Sequence, residues 1–94
     1  MKLIRSNYKD IIEKEKLIIE DNEKQRHLFL KKKLHEEFQE LLDSGYKDVQ
    51  EYGDVLQVMI DLGHFYGISY RDIREARTEK YNKFGDFSEG VYLK

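Results

Sequence analysis

Four carboxylates stand in two pairs with helical spacing, Glu37 with Glu40 and Glu51 with Asp54. Residues three apart in a helix project from neighbouring positions of one face, so each pair can direct two oxygen ligands towards one point. Carboxylate oxygens are the ligands that hard divalent cations prefer; Mg²⁺ is the first candidate and Mn²⁺ an alternative. The two pairs therefore predict a divalent-cation site.

Glu51 stands on a line of apolar residues. This position distinguishes it from the acidic residues that occur on the solvent-facing side of an ordinary helix. The line continues at intervals of three or four residues through Val55, Val58, Leu62 and Tyr66. Such a line is expected to face the core. An ionised carboxylate buried without a partner is costly, so a metal ion, a basic partner or a raised pKa is expected at Glu51.

On the preceding segment, the positions of Glu37 and Glu40 are weaker evidence for a metal site. The apolar face of that segment is formed by Leu30, Leu34, Phe38, Leu41 and Leu42. We expect Glu37 at the edge of this face and Glu40 further round, towards solvent. The simplest alternative for all four acids is a set of solvated helix charges paired with lysines such as Lys33 and Lys47. The position of Glu51 favours the metal site, because clustered buried acids are more often functional than structural.

Two long helices are predicted to carry these acids, since the chain contains no proline and its centre is rich in Glu, Lys, Leu and Gln. The first is expected over residues 23–43 and the second over residues 47–66, with Ser44 and Gly45 between them. A turn this short makes the helices antiparallel and brings the two acidic pairs within reach of each other. Gly53 either lets another helix or a ligand approach the second helix closely or is a tolerated imperfection of that helix.

Shorter elements flank this hairpin. We expect a short helix over residues 8–15, an extended stretch over residues 17–20, a third helix between the capping residue Ser69 and Gly85, and an ordered extended tail over residues 86–93. A hairpin with one further helix cannot bury both of its faces. We therefore expect an all-α fold, completed as a helical bundle by self-association into a homodimer or a tetramer.

Composition bounds the function further. A chain of 94 residues predicts a single domain over residues 1–94. The absence of cysteine excludes disulfides, thiolate catalysis and cysteine-ligated zinc, and it fits a reducing cytosol. The formal net charge of −2 lacks the basic surplus typical of nucleic-acid binding, and no apolar run approaches the length of a signal core or a membrane span. We expect a cytoplasmic protein with no membrane or nucleic-acid partner.

The acidic segments EEFQE at residues 36–40 and EYGD at residues 51–54 match a pair of known motifs, Glu-Glu-x-x-Glu and Glu-x-x-Asp. By these motifs the chain resembles the all-α nucleoside triphosphate pyrophosphohydrolases, most closely the small MazG-like or phosphoribosyl-ATP pyrophosphohydrolase-like subgroup. Other parts that fit the subgroup are KLIR at residues 2–5, Ile11-Ile12, DVLQV at residues 54–58, and the terminal Lys80, Lys83, Gly85, Phe87, Gly90 and Val91.

This resemblance implies Mg²⁺-dependent attack of water on a nucleoside triphosphate, which is cleaved between its α- and β-phosphates. It implies that the metal ligands are Glu37, Glu40, Glu51 and Asp54. Glu36 and Glu37 are the expected catalytic residues, Glu36 as a further ligand or as a base. Contacts to the substrate phosphates are expected from Arg5, Lys80 and Lys83.

The chain departs from the subgroup's pattern at the substrate end. Ser6-Asn7 stand where Asp-Lys is usual, Phe84 where arginine is common, Asp86 in place of a glycine, and Gln57 in place of a glutamate. Two alternatives to the general nucleotide hydrolase therefore stay open. One is a homo-oligomeric helical interaction protein that keeps the scaffold without turnover, and the other is a phosphoribosyl-ATP pyrophosphohydrolase.

Overall fold

Three α-helices form the body of the protein in a computed structural model that describes residues 2–94. The helices are α1 (Glu23–Asp43), α2 (Val49–Phe65) and α3 (Tyr70–Phe84), preceded by two 3₁₀ turns at Ser6–Asp10 and Lys14–Lys16. The described residues contain no β-strand. The expectation of an all-α fold is confirmed.

Side-chain caps explain where the helices begin. Asn22 accepts a hydrogen bond from the Gln25 N–H at the start of α1, and Ser69 accepts one from the Asp72 N–H at the start of α3. Asp48 accepts from the Gln50 N–H at 2.9 Å. Since the capping residue lies outside the helix, α2 begins two residues later than the sequence pattern predicts.

The predicted short helix over residues 8–15 is wrong. The two 3₁₀ turns stand in its place, and Ile11, one of the apolar residues that suggested a helix, is 75% exposed. A short helix depends on packing an apolar edge against another element, and this edge is largely solvated. Residues 17–20 have no regular secondary structure, and the tail after Gly85 contains only a bend and a turn.

A tight turn reverses the chain between α1 and α2. Gly45 and Tyr46 both have left-handed backbone conformations, with φ of 71° and 62°. The Tyr46 N–H donates to the Leu41 carbonyl and the Gly45 N–H donates to the Leu42 carbonyl, the pattern of a Schellman motif. The Tyr52 hydroxyl donates to the Tyr46 carbonyl at 3.0 Å and fastens the turn to α2. The result is an antiparallel hairpin.

The core is a narrow seam between α1 and α2. Leu41, Val55 and Val58 are each 8% exposed, and Glu37 is 5% exposed among them. The prediction that Glu37 lies at the edge of the apolar face is therefore wrong, because its side chain takes a seam position three residues after Leu34 and four before Leu41.

Other residues predicted to face the core lie outside the seam. Phe38 is 48% exposed, Leu42 is 49% exposed and Tyr66 is 55% exposed. Phe38 and Leu42 each follow a seam residue by one position, which turns them about 100° away from α2.

The other end of the hairpin is joined by aromatic packing. The imidazole of His27 on α1 stacks on the Phe65 ring with centroids 5.1 Å apart, and the Tyr66 hydroxyl is hydrogen-bonded to His27 Nε2. Helix α3 packs on the end of α2, where Gly63 leaves room for Ile73. None of the helices in residues 2–94 combines the length and apolarity needed to cross a membrane.

We expect Leu41→Ala to lower the free energy of unfolding by about 2–3 kcal/mol, because it leaves a cavity in a seam with few buried side chains. Urea denaturation measures this change. The matched control is Leu28→Ala on the same helix, where Leu28 is 53% exposed, and its effect should stay under about 1 kcal/mol. Equal losses in the two variants would contradict the assignment of the core.

Candidate metal centre

Four carboxylates converge near the turn of the hairpin. Glu37 and Glu40 come from the second half of α1, and Glu51 and Asp54 come from the first two turns of α2. Each side chain offers one oxygen, and these four oxygens all lie within 4.8 Å of one another. Oxygens on opposite sides of a bound Mg²⁺ are about 4.2 Å apart, so small rotamer changes would close the cluster on one cation.

Helical geometry places this cluster on one side of the hairpin. Glu36, Glu40 and Asp54 each precede a buried seam residue by one position, those residues being Glu37, Leu41 and Val55. In two antiparallel helices, positions that precede the seam lie on the same side of the pair, and positions that follow it lie on the opposite side. We call the first of these the acidic side, and Glu37 and Glu51 reach it from the seam.

Two oxygens of the cluster are buried without a hydrogen-bond partner among the described residues, Glu37 Oε2 and Glu51 Oε2. Glu37 is the more buried residue, and its other oxygen, Oε1, accepts from Lys33 Nζ at 2.9 Å. A buried carboxylate oxygen without a donor or a cation is destabilising. A divalent cation among the four carboxylates would bring positive charge to these two side chains, so the residues present fit a metal ion.

Two carboxyl groups of the cluster have raised pKa values. The pKa of Glu40 is raised by the carboxyl group of Glu37 beside it, by burial, and by the charges of Glu37 and Glu51. The pKa of Glu51 is raised by burial and by the charges of Asp54, Asp48 and Glu37, against a smaller lowering effect of the neighbouring Glu40 carboxyl group. The folded chain thus holds these acids together against electrostatic repulsion that a cation would relieve.

Lys33, predicted from the sequence as a partner of these acids only in the alternative of solvated helix charges, is a half-buried member of the site. Its side chain is 13% exposed and pairs with Glu37 at 2.9 Å and with Glu36 at 3.4 Å. Burial lowers the pKa of Lys33, but the hydrogen bond to Glu37 and the charges of Glu37 and Glu36 outweigh it, so the pKa is raised overall. The spacing to these glutamates, three and four residues along a helix, was the available signal.

The N-terminal segment brings two more cations to the acidic side. Arg5 Nη2 lies 2.6 Å from Asp54 Oδ1, and Lys2 Nζ lies 3.4 Å from Glu36 Oε1. Glu36, predicted to be catalytic, is therefore held between Lys2 and Lys33 at the rim of the cluster. Arg5, predicted to contact substrate, lies against a predicted metal ligand.

The other predicted phosphate contacts lie on a different element. Lys80 and Lys83 are exposed on α3, and neither forms an ion pair with the four acids within residues 2–94. The Lys83 ammonium lies 5.2 Å from the centre of the Phe84 ring. The structure thus brings Arg5 to the acidic cluster but does not bring these two lysines to it.

Two departures from the subgroup's pattern have local structural roles. Asp86 accepts hydrogen bonds from the N–H and the hydroxyl of Ser88, which lower its pKa and fix a turn in the tail. Gln57 donates to Asp61 along α2 at 3.2 Å.

A side chain at Gly53 would meet nothing within 4 Å, so no other part of the described chain approaches α2 closely at this glycine.

We expect Glu51→Gln to raise the thermal stability of the metal-free protein at pH 7, because it removes a charge that burial and the neighbouring charges of Asp54, Asp48 and Glu37 disfavour. A carboxyl group whose pKa is raised by folding stabilises the native state at low pH and loses that contribution as pH rises through the raised value. The advantage of Glu51→Gln should therefore shrink as the pH falls towards 4 or so, the unperturbed range of glutamate. Thermal unfolding in a chelator, with the exposed Glu79→Gln as control, measures it. A stability gain that did not depend on pH would contradict this account.

The centre therefore consists of four converging carboxylates, two buried oxygens without partners, and a set of flanking cations. No protein-family profile, curated protein or solved structure matches this chain.

Proposed function

We propose that this chain is a Mg²⁺-dependent nucleoside triphosphate pyrophosphohydrolase that yields a nucleoside monophosphate and pyrophosphate. The observation that carries the proposal is the convergence of Glu37, Glu40, Glu51 and Asp54, with oxygens of Glu37 and Glu51 buried and unpaired. The resemblance of residues 36–40 and 51–54 to the pyrophosphohydrolase motifs suggests which reaction the bound cation would support. Mn²⁺ would fit the same oxygen ligands.

The four carboxylates act in this proposal as the ligands of the cation. When bound, the cation neutralises charge on the triphosphate and lowers the pKa of a water molecule at the site. Lys33 holds Glu37 Oε1, which leaves Oε2 free to face the cluster. The chain thus contributes mainly fixed geometry, which is what phosphoryl and nucleotidyl transfer require.

Glu36 is the proposed base. Its carboxylate is 35% exposed at the rim of the cluster, and the ammonium groups of Lys2 and Lys33 hold it in place. In the proposed reaction Glu36 takes a proton from the attacking water, a bond forms between the water oxygen and the α-phosphorus, and the bond from that phosphorus to the bridging oxygen breaks. Pyrophosphate leaves with the electron pair. Arg5, which lies against Asp54, is the proposed phosphate contact.

We also propose that the chain is completed by self-association into a homodimer or a pair of dimers. The side of the hairpin opposite the acidic cluster, which we call the apolar side, carries residues that are between 44% and 51% exposed, namely Phe38, Leu42, Tyr52, Leu56 and Met59. Each follows a seam position by one residue, so all five lie on that side. The three buried apolar residues of the described chain, Leu41, Val55 and Val58, make a small core.

The enzyme is tested by pyrophosphate release from a panel of ribo- and deoxyribonucleoside triphosphates and phosphoribosyl-ATP, with Mg²⁺ or Mn²⁺. We expect metal-dependent release, and a loss of at least about 100-fold in Glu51→Gln, because removing even an indirect support of a metal ligand typically costs 10–100-fold. The control is Glu79→Gln, which removes the same charge from α3. Normal turnover by Glu51→Gln would contradict the site.

Metal binding is tested separately by stability. At a free Mg²⁺ concentration of 100 times the dissociation constant, the free energy of unfolding should rise by about 2.7 kcal/mol, and this rise should vanish in Glu51→Gln. Stabilisation by metal without turnover of any substrate in the panel would favour the non-catalytic helical scaffold.

Self-association is tested by sedimentation velocity over a range of protein concentrations. We expect the wild type to sediment as a dimer or a larger species, and Leu56→Lys to shift it towards the monomer, because a charge at the centre of an apolar interface loses its hydration. Thr78→Lys, which adds the same charge at an exposed position of α3, should leave the mass unchanged. A wild type that is monomeric at every concentration would exclude self-association.

A further inference from the structure

The N-terminal segment, residues 2–5, lies across the acidic side of the hairpin. Arg5 pairs with Asp54 at 2.6 Å, and Lys2 pairs with Glu36 at 3.4 Å. Leu3, between them, lines a small pocket together with Phe29 and the stem of Lys33. Two cations from a segment without regular secondary structure therefore contact acids on both helices of the hairpin.

These contacts place positive charge where the proposed cation would bind. Asp54 is one of the four converging carboxylates, and its Oδ1 is taken by the Arg5 guanidinium. Lys2 also acts on the cluster, since its charge counters the rise in the pKa of Glu40. A divalent cation among these carboxylates would lie within a few ångströms of the guanidinium and would be repelled by it.

The contact is also weak enough to be exchanged. The side chains of Arg5 and Asp54 are 57% and 34% exposed, so water screens the pair, and exposed pairs of this kind contribute little to stability. In the backbone, the Tyr8 N–H donates to the Arg5 carbonyl within the N-terminal turn itself. The segment is thus held on the hairpin mainly by side chains.

We propose that residues 2–5 form a strap that a divalent cation displaces: metal binding breaks the ion pair between Arg5 and Asp54 and frees the segment. The freed guanidinium is then available to an anionic phosphate. This inference rests on the proposed function, because it takes the four carboxylates as metal ligands. While it is paired with Asp54, Arg5 competes with the metal for that carboxylate. After metal binding has freed it, Arg5 can contact a phosphate of the substrate.

The first test compares Mg²⁺ and Mn²⁺ affinities by titration calorimetry. Arg5→Gln should bind either metal about two- to fivefold more tightly than the wild type, the range expected for the loss of an exposed ion pair. The matched control is Arg71→Gln, which removes the same charge from an exposed pair with Glu75 on α3. That variant should bind like the wild type. Unchanged or weaker binding by Arg5→Gln would overturn the strap.

The second test follows the mobility of the segment itself by backbone NMR relaxation of the amides of residues 3–5 in the wild-type chain, because these residues are held by side-chain contacts. Adding Mg²⁺ should make this segment more mobile, and the same addition to Glu51→Gln should change nothing. Unchanged or lower mobility in metal-loaded wild type would overturn the strap, because it would mean that Arg5 stays on Asp54 as a permanent anchor.

The two proposals fail in different ways. If neither the wild type nor Arg5→Gln binds metal, the metal centre itself is excluded, and the strap with it. If both bind metal equally and the wild type releases pyrophosphate, the enzyme stands and the strap alone is excluded. Binding by Arg5→Gln in the absence of detectable binding by the wild type would support the strap.

Discussion

The burial of one carboxylate, Glu37, in the seam between α1 and α2 constrains the rest of the site. At 5% exposure this side chain needs compensation, and Lys33 supplies it to one oxygen at 2.9 Å. The second oxygen, Oε2, has no protein partner in residues 2–94. An apolar residue at this position would pack better. A buried carboxylate here is therefore better explained by ligand binding than by a structural role. The carboxylates of Glu40, Glu51 and Asp54 converge with that of Glu37.

The narrow seam also divides the hairpin into two sides of different chemistry. Positions just before the seam residues carry Glu36, Glu40 and Asp54, whereas positions just after them carry side chains such as Phe38 and Leu56. One side can therefore serve charge and metal binding, and the other can serve apolar contact with a second copy. The same packing register produces both sides, so a change in the register of α2 against α1 would alter the site and the proposed interface together.

Much of this arrangement could be predicted from the sequence. The bounds of α1 and the start of α3 followed from helix-forming composition, Ser69 as a cap and Ser44-Gly45 as a stop. The four acids could be grouped because spacing of three along each helix, combined with a short turn, limits where their side chains can point. The short helix expected over residues 8–15 failed, because a helix that short depends on tertiary packing that the sequence pattern does not report.

By itself, the sequence determined the helices, their order and the facing of two acidic pairs, because these depend on local propensity, capping and periodicity. Only the tertiary structure decided that Glu37 lies in the seam and not at its edge, that Lys33 is its buried partner, and that Arg5 lies against Asp54. The physical reason is that periodicity fixes the direction of a side chain around its own helix. The rotation of one helix against the other, and the path of an irregular segment across them, depend on contacts between residues far apart in the chain.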